Sequence, residues 1–119
     1  MSLPITSADT ARHLRRRAAA EQAAADARAA RLHGLLPLAV HCLRDAYGAE
    51  RVVLFGSLAV GDHRVSSDVD LAASGVPGVR YFSALADLMT IFNGPVDLIR
   101  LEEAPPSLAE RIDAEGIEL

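Results

Sequence analysis

The stretches Arg51-Val52-Val53-Leu54-Phe55-Gly56-Ser57 and, after ten intervening residues, Asp68-Val69-Asp70-Leu71-Ala72-Ala73 decide how this chain is read. A run of β-formers stopped by Gly-Ser predicts a short buried strand. Gly56 allows the backbone to turn sharply and come close to a ligand, and Ser57 adds a hydroxyl donor. A helical turn over residues 58–61 would add backbone N–H groups suited to phosphate. Alone, a Gly-Ser after a strand is ordinary turn chemistry. The second stretch alternates acid and apolar, as a strand with one polar face does. Asp68 and Asp70 then stand side by side, and Val69 and Leu71 turn to the core. Two such carboxylates repel and raise each other's pKa, a conflict that a divalent cation resolves. A lone Asp-x-Asp equally suits a solvent-facing edge strand.

A third acid makes accident a poor explanation. Asp97 sits in the strand-like Val96-Asp97-Leu98-Ile99-Arg100-Leu101, where an acid needs a partner. An ion pair to Arg100 or Arg64 is its structural alternative. Gly-Ser, ten residues, then Asp-x-Asp would occur by chance in roughly one chain of this length per thousand.

Outward from this centre the chain reads as helix and strand in turn. Residues 8–33 are nearly all strong helix formers, with Thr6 or Ser7 as N-cap and Asp9 at the positive end. Gly34 is expected to end that helix, and Pro37 to sit in the first turn of a second one bearing Leu36, Ala39, Val40, Leu43 and Tyr47. Tyr81, Phe82, Leu85, Leu88, Met89 and Phe92 predict a third amphipathic helix, and Ser107–Ala114 a last one after Pro105-Pro106. The order α-α-β-β-α-β-α gives an α/β (α+β) domain, a small mixed sheet flanked by helices with an extra N-terminal helix. Residues 1–34 form an Ala/Arg-rich leader and 35–119 the domain proper.

Composition narrows the function classes. The chain has 119 residues, 50% hydrophobic, with a formal charge of −4. All twelve basic residues are Arg; there is no Lys. One cysteine, Cys42, excludes an internal disulfide and a multi-Cys metal site. Apolar runs are too short for a membrane span and no signal core is present, so the default expectation is cytoplasmic. Residues 1–44 carry seven Arg against three acids, and residues 45–119 five Arg against thirteen. The acidic part should therefore bind something cationic or accompanied by cations. Among lesser features, His41 and His63 read as surface or loop residues, and Ser66 and Ser67 as loop caps. Arg15-Arg16-Arg17 reads as a solvated face; without aromatic platforms, nucleic-acid binding is not expected.

Leu54-Phe55-Gly56-Ser57, Gly61-Asp62 and Ser67-Asp68-Val69-Asp70-Leu71 resemble the signature of the minimal nucleotidyltransferases, of the polymerase-beta-like superfamily. The tail Asp97-Leu98 and Leu108-x-x-Arg111-Ile112-x-x-Glu115-Gly116 is similar to that family's usual ending. The resemblance covers about residues 36–119. It implies a mixed sheet flanked by helices and attack by a hydroxyl on the α-phosphorus of a nucleoside triphosphate, ATP above all. Gly56 and Ser57 would hold the triphosphate. Asp68, Asp70 and Asp97 would be the catalytic and metal-binding carboxylates for two Mg²⁺, with Asp97 accepting the proton. The family commonly has Arg where Leu58 and Val60 stand here, which leaves Arg64 as the nearest nucleotide-binding cation and puts activity in question. Small members resemble antitoxins paired with a HEPN-type toxin, able to add AMP to a toxin tyrosine. The leader would then dock on that partner or on a second copy. Two alternatives stay open: a binding module that neutralises its partner by contact, and transfer to a small molecule such as an aminoglycoside.

Overall fold

The computed structural model describes residues 7–62, 64 and 68–119. Its first element is one uninterrupted helix, α1 (Ser7–His41), extended by a π-helical turn, Cys42–Ala46. The expected break at Gly34 is absent, and Pro37 lies inside the helix rather than opening a new one. The reason is the phase of the apolar stripe. Ala25, Ala29, Leu32, Leu36, Ala39 and Leu43 are all buried, at spacings of three or four residues that run straight through Gly34 and Pro37. Burial of that face on both sides offsets the hydrogen bond that proline removes. Thr6, one of the two candidate caps, lies outside the described residues.

Strand β1 (Arg51–Phe55) leads into the one-turn helix α2 (Ser57–Val60). Strand β2 (Val69–Ser74) starts one residue later than the alternation suggests, so Asp68 stands just before it. Helix α3 (Tyr81–Phe92), strand β3 (Val96–Arg100), helix α4 (Pro106–Glu115) and a two-residue strand β4 (Ile117–Glu118) complete the chain. The sheet order is β3-β2-β1-β4. β1 runs antiparallel to β2 and β4, and β2 parallel to β3, which makes the sheet mixed as expected.

Strand alternation sorts the two faces. Val52, Leu54, Val69, Leu71, Ala73 and Leu98 bury against α1 and α3 in the larger cluster. Val53, Phe55 and Ala72 turn the other way and bury against Ile112 of α4. On α3 the buried stripe is Ala84, Leu88 and Phe92, with Tyr81, Leu85 and Ile91 beside it. Phe82 and Met89, expected inside, lie off that stripe and are 80% and 44% exposed.

The end of the chain is fastened closely. A Cβ on Gly116 would lie 2.4 Å from the Ile112 carbonyl oxygen and 2.5 Å from Val53, so only glycine lets the chain pass from α4 into β4. Leu119 donates its N–H to the Val52 carbonyl at 2.9 Å, and Arg44 donates to the Leu119 carbonyl at 3.0 Å. The Arg51 Nε donates to Glu118 at 2.6 Å. Among the described residues no helix is long and apolar enough to cross a membrane.

Candidate active site

The sheet brings its acids together by register. Phe55 at the end of β1 pairs with Asp70 near the start of β2, and Asp70 pairs with Asp97 near the start of β3. In-register neighbours share a face, so these positions form a row on the side covered by α4. Asp70 is half-buried, while Asp97 and Asp68 are exposed at the rim. Burial, then the charges of Asp97 and Asp68, push the Asp70 carboxyl up from 3.8 to about 6, and Arg111 on α4 pulls it partly back. The ion pair considered for Asp97 does not form with Arg100. That guanidinium donates to the Val76 carbonyl at 2.9 Å and to Glu103 at 2.5 Å.

Gly56 is fixed by two independent demands. Its φ of 74° and ψ of −160° belong to a region that L side chains rarely adopt. A Cβ there would also lie 2.2 Å from Asp70 Oδ2. The glycine thus makes room for the carboxylate as well as for the turn. Its carbonyl accepts the N–H groups of Ala59 at 3.1 Å and Val60 at 3.2 Å, so the helical turn expected after Gly-Ser is present. Leu58 is 2% exposed and pins that turn to the core; it faces away from any ligand at the rim. Gly61, with φ 79°, ends the turn.

Arg64 is exposed in the connection to Asp68. His63, Ser66 and Ser67 lie outside the described residues. His41 pairs with Asp45 at 2.8 Å on the exposed side of its helix, a surface role as expected. Arg15, Arg16 and Arg17 are all exposed, and Arg17 faces Glu21 at 3.5 Å, i to i+4.

The donor set suits a hard divalent cation: three carboxylates, all oxygen, one of them carrying charge that the chain itself leaves poorly compensated. Among the described residues no three His, Cys, Asp or Glu side chains are gathered into a ready-made metal cage. Arg111 is the member of this cluster that sequence reasoning did not single out as a site residue. The sequence holds it only as part of the Leu108-x-x-Arg111-Ile112 tail; its place over the Asp70 face follows from the packing of Ile112.

Residues 40–119 match the family described as polymerase beta, nucleotidyltransferase. A structure of a minimal nucleotidyltransferase is similar at 32% identity, over 76% of this chain and 90% of that one, with a TM-score of 0.58. A crystal structure of a toxin–antitoxin with AMP-PNP aligns at 24% identity, over 66% of this chain and 67% of that one, with a TM-score of 0.61. A tri-AMPylated Shewanella oneidensis HEPN toxin in complex with its MNT antitoxin aligns at 20% identity, over 79% and 70%, with a TM-score of 0.52. The last two likenesses are of fold. Among curated proteins no significant relative was found.

Proposed function

Because the chain belongs to the polymerase beta nucleotidyltransferase family, we propose that it transfers AMP from ATP to a hydroxyl, that of a tyrosine on a HEPN-type partner toxin, and so acts as an antitoxin. The observation that carries this reading is the in-register row of Phe55, Asp70 and Asp97 with Gly56 folded against the Asp70 carboxylate. Residues 35–119 would be the transferase domain; of the 1–34 leader, Ala25, Ala29 and Leu32 pack within the chain, and the exposed stretch over residues 7–24 would dock on the partner or on a second copy. The antitoxin role is favoured by the complexes of like fold, one holding AMP-PNP and another an AMPylated HEPN toxin. We place the protein in the cytoplasm, where ATP is available.

In this reading Asp68, Asp70 and Asp97 would hold two Mg²⁺, which would neutralise phosphate charge and lower the pKa of the attacking hydroxyl. Gly56 leaves the space that Asp70 occupies, and Ser57 offers its hydroxyl to the triphosphate. Arg64 lies near enough along the chain to add a phosphate contact. The acceptor oxygen forms its bond to the α-phosphorus as the bond to the bridging oxygen breaks and pyrophosphate leaves. The hydroxyl proton passes to Asp97, whose exposed position at the rim faces an incoming acceptor. Most of the rate enhancement is positioning and charge neutralisation.

A second reading, neutralisation by contact alone, is favoured by one observation: Leu58 is buried where a cation would otherwise follow Gly-Ser. Incubation with α-labelled ATP, Mg²⁺ and the HEPN-type partner separates the two. Label on the partner, abolished in Asp68→Ala and Asp70→Ala, is the outcome for the transferase. A tight complex without label, in wild type and variants alike, establishes the contact-only module.

A further inference from the structure

A triphosphate set among three carboxylates needs cationic side chains as well as metal, and with no Lys in the chain these must be Arg. Three of the five Arg beyond residue 45 are committed elsewhere. Arg51 is held by Glu118 at 2.6 Å and Asp113 at 3.4 Å. Arg80 donates to the Ala46 carbonyl at 2.6 Å and lies over the Tyr47 ring, 4.4 Å from its centre. Arg100 is held by Val76 and Glu103. Arg64 has an interaction of its own within the chain. Arg111 is exposed and is held by no hydrogen bond or ion pair among the described residues.

We infer that Arg111 grips the nucleotide's phosphate oxygens, through the paired hydrogen bonds of its guanidinium, at the row formed by Asp70 and Asp97. This deepens the transferase reading and depends on it. The geometry comes from α4. Ile112 is 1% exposed and packs with Val53, Phe55 and Ala72, and Leu108 lies against the same cluster. Phe55 is the cross-strand neighbour of Asp70, and Ala72 follows Asp70 two residues along the same face. Ile112 and Leu108 thus seat α4 on the sheet face that carries Asp70, and Arg111 is the exposed neighbour of Ile112 on that helix. A planar guanidinium matches two phosphate oxygens at once, which a lysine ammonium does not.

The test is equilibrium binding to the full chain of α,β-methylene ATP, which cannot react, and of inorganic tripolyphosphate, both with Mg²⁺. Arg111→Ala is expected to weaken both by at least about ten-fold, as loss of a charged hydrogen-bond pair does, with the fold kept and a single cooperative thermal transition. Arg111→Lys should recover only part of the loss, and in the transfer assay Arg111→Ala should raise KM more than it lowers kcat. Binding by Arg111→Ala within two-fold of wild type overturns the assignment, as does full recovery by Arg111→Lys, which would reduce the role to bulk charge. A wild-type chain that binds neither probe overturns the transferase reading along with it; a wild-type chain that binds while Arg111→Ala binds equally overturns only the role of Arg111.

Discussion

Asp70 is the residue where folding and function pull apart. Half-buried beside two other acids, it is easier to protonate in the folded chain than in the unfolded one. The folded state then binds more protons than the unfolded state between about pH 4 and pH 6, so stability of the ion-free chain falls as pH rises through that window. The loss stays in place at neutral pH. After screening by solvent it amounts to on the order of 1 kcal/mol. Urea unfolding of the ion-free chain should show this slope, and Asp70→Asn should abolish it and be the more stable protein at pH 7. A wild-type chain as stable at pH 7 as at pH 4, with the variant no better, removes this account of Asp70. Gly56 bears the matching demand. Gly56→Ala forces a methyl onto the Asp70 carboxylate and a left-handed φ onto alanine, so a cost of about 2 kcal/mol is expected in the same experiment.

Among the elements, α1 tests how far local signals can be trusted. If proline inside a continuous helix costs a hydrogen bond, Pro37→Ala should stabilise the protein by about 1–3 kcal/mol in thermal unfolding. Had Pro37 opened a second helix, the same change would be neutral or harmful. Gly34 and Pro37 point to a break, yet Leu32, Leu36, Ala39 and Leu43 keep one phase across them, and tertiary burial prevails. That phase was legible in the residues; its weight against two helix breakers was not. β1 and α3 were legible to the residue because each is a dense run of formers between Gly, Pro or Asn stops. β4 was not, since two residues gain strand geometry only from pairing with Val53 and Leu54. At the site, Asp68 and Asp70 stood out by their spacing and Asp97 as an acid inside an apolar strand-like run. Their alignment across β2 and β3, and the arrival of Arg111 from α4, are products of register and packing that no local pattern encodes.

The whole molecule measures 67 × 29 × 20 Å, drawn out along its first helix. Residues 7–24 of α1 are exposed but for Ala11, and burial begins at Ala25. A chain beginning at Ala25 should therefore keep a single cooperative transition, with a thermal midpoint within a few degrees of the full chain. Loss of cooperativity would show that residues 7–24 belong to the cooperative unit rather than forming an appendage. The opposed charges of the two parts belong to this scale too: a basic helix at one end, and acids concentrated in the domain that would receive magnesium and a triphosphate.

The account's central claim is that metal and nucleotide meet at the row running from Phe55 through Asp70 to Asp97. Mn²⁺ titrated with α,β-methylene ATP into isotopically labelled protein measures this directly, because the ion broadens the amide resonances of residues around it. The account predicts that Gly56, Asp70, Asp97 and Arg111 broaden first and together, and that Asp70→Asn removes the effect. Broadening centred instead on the acids at Glu102–Glu103 or Asp113–Glu118, or spread evenly over the acidic surface, would contradict it.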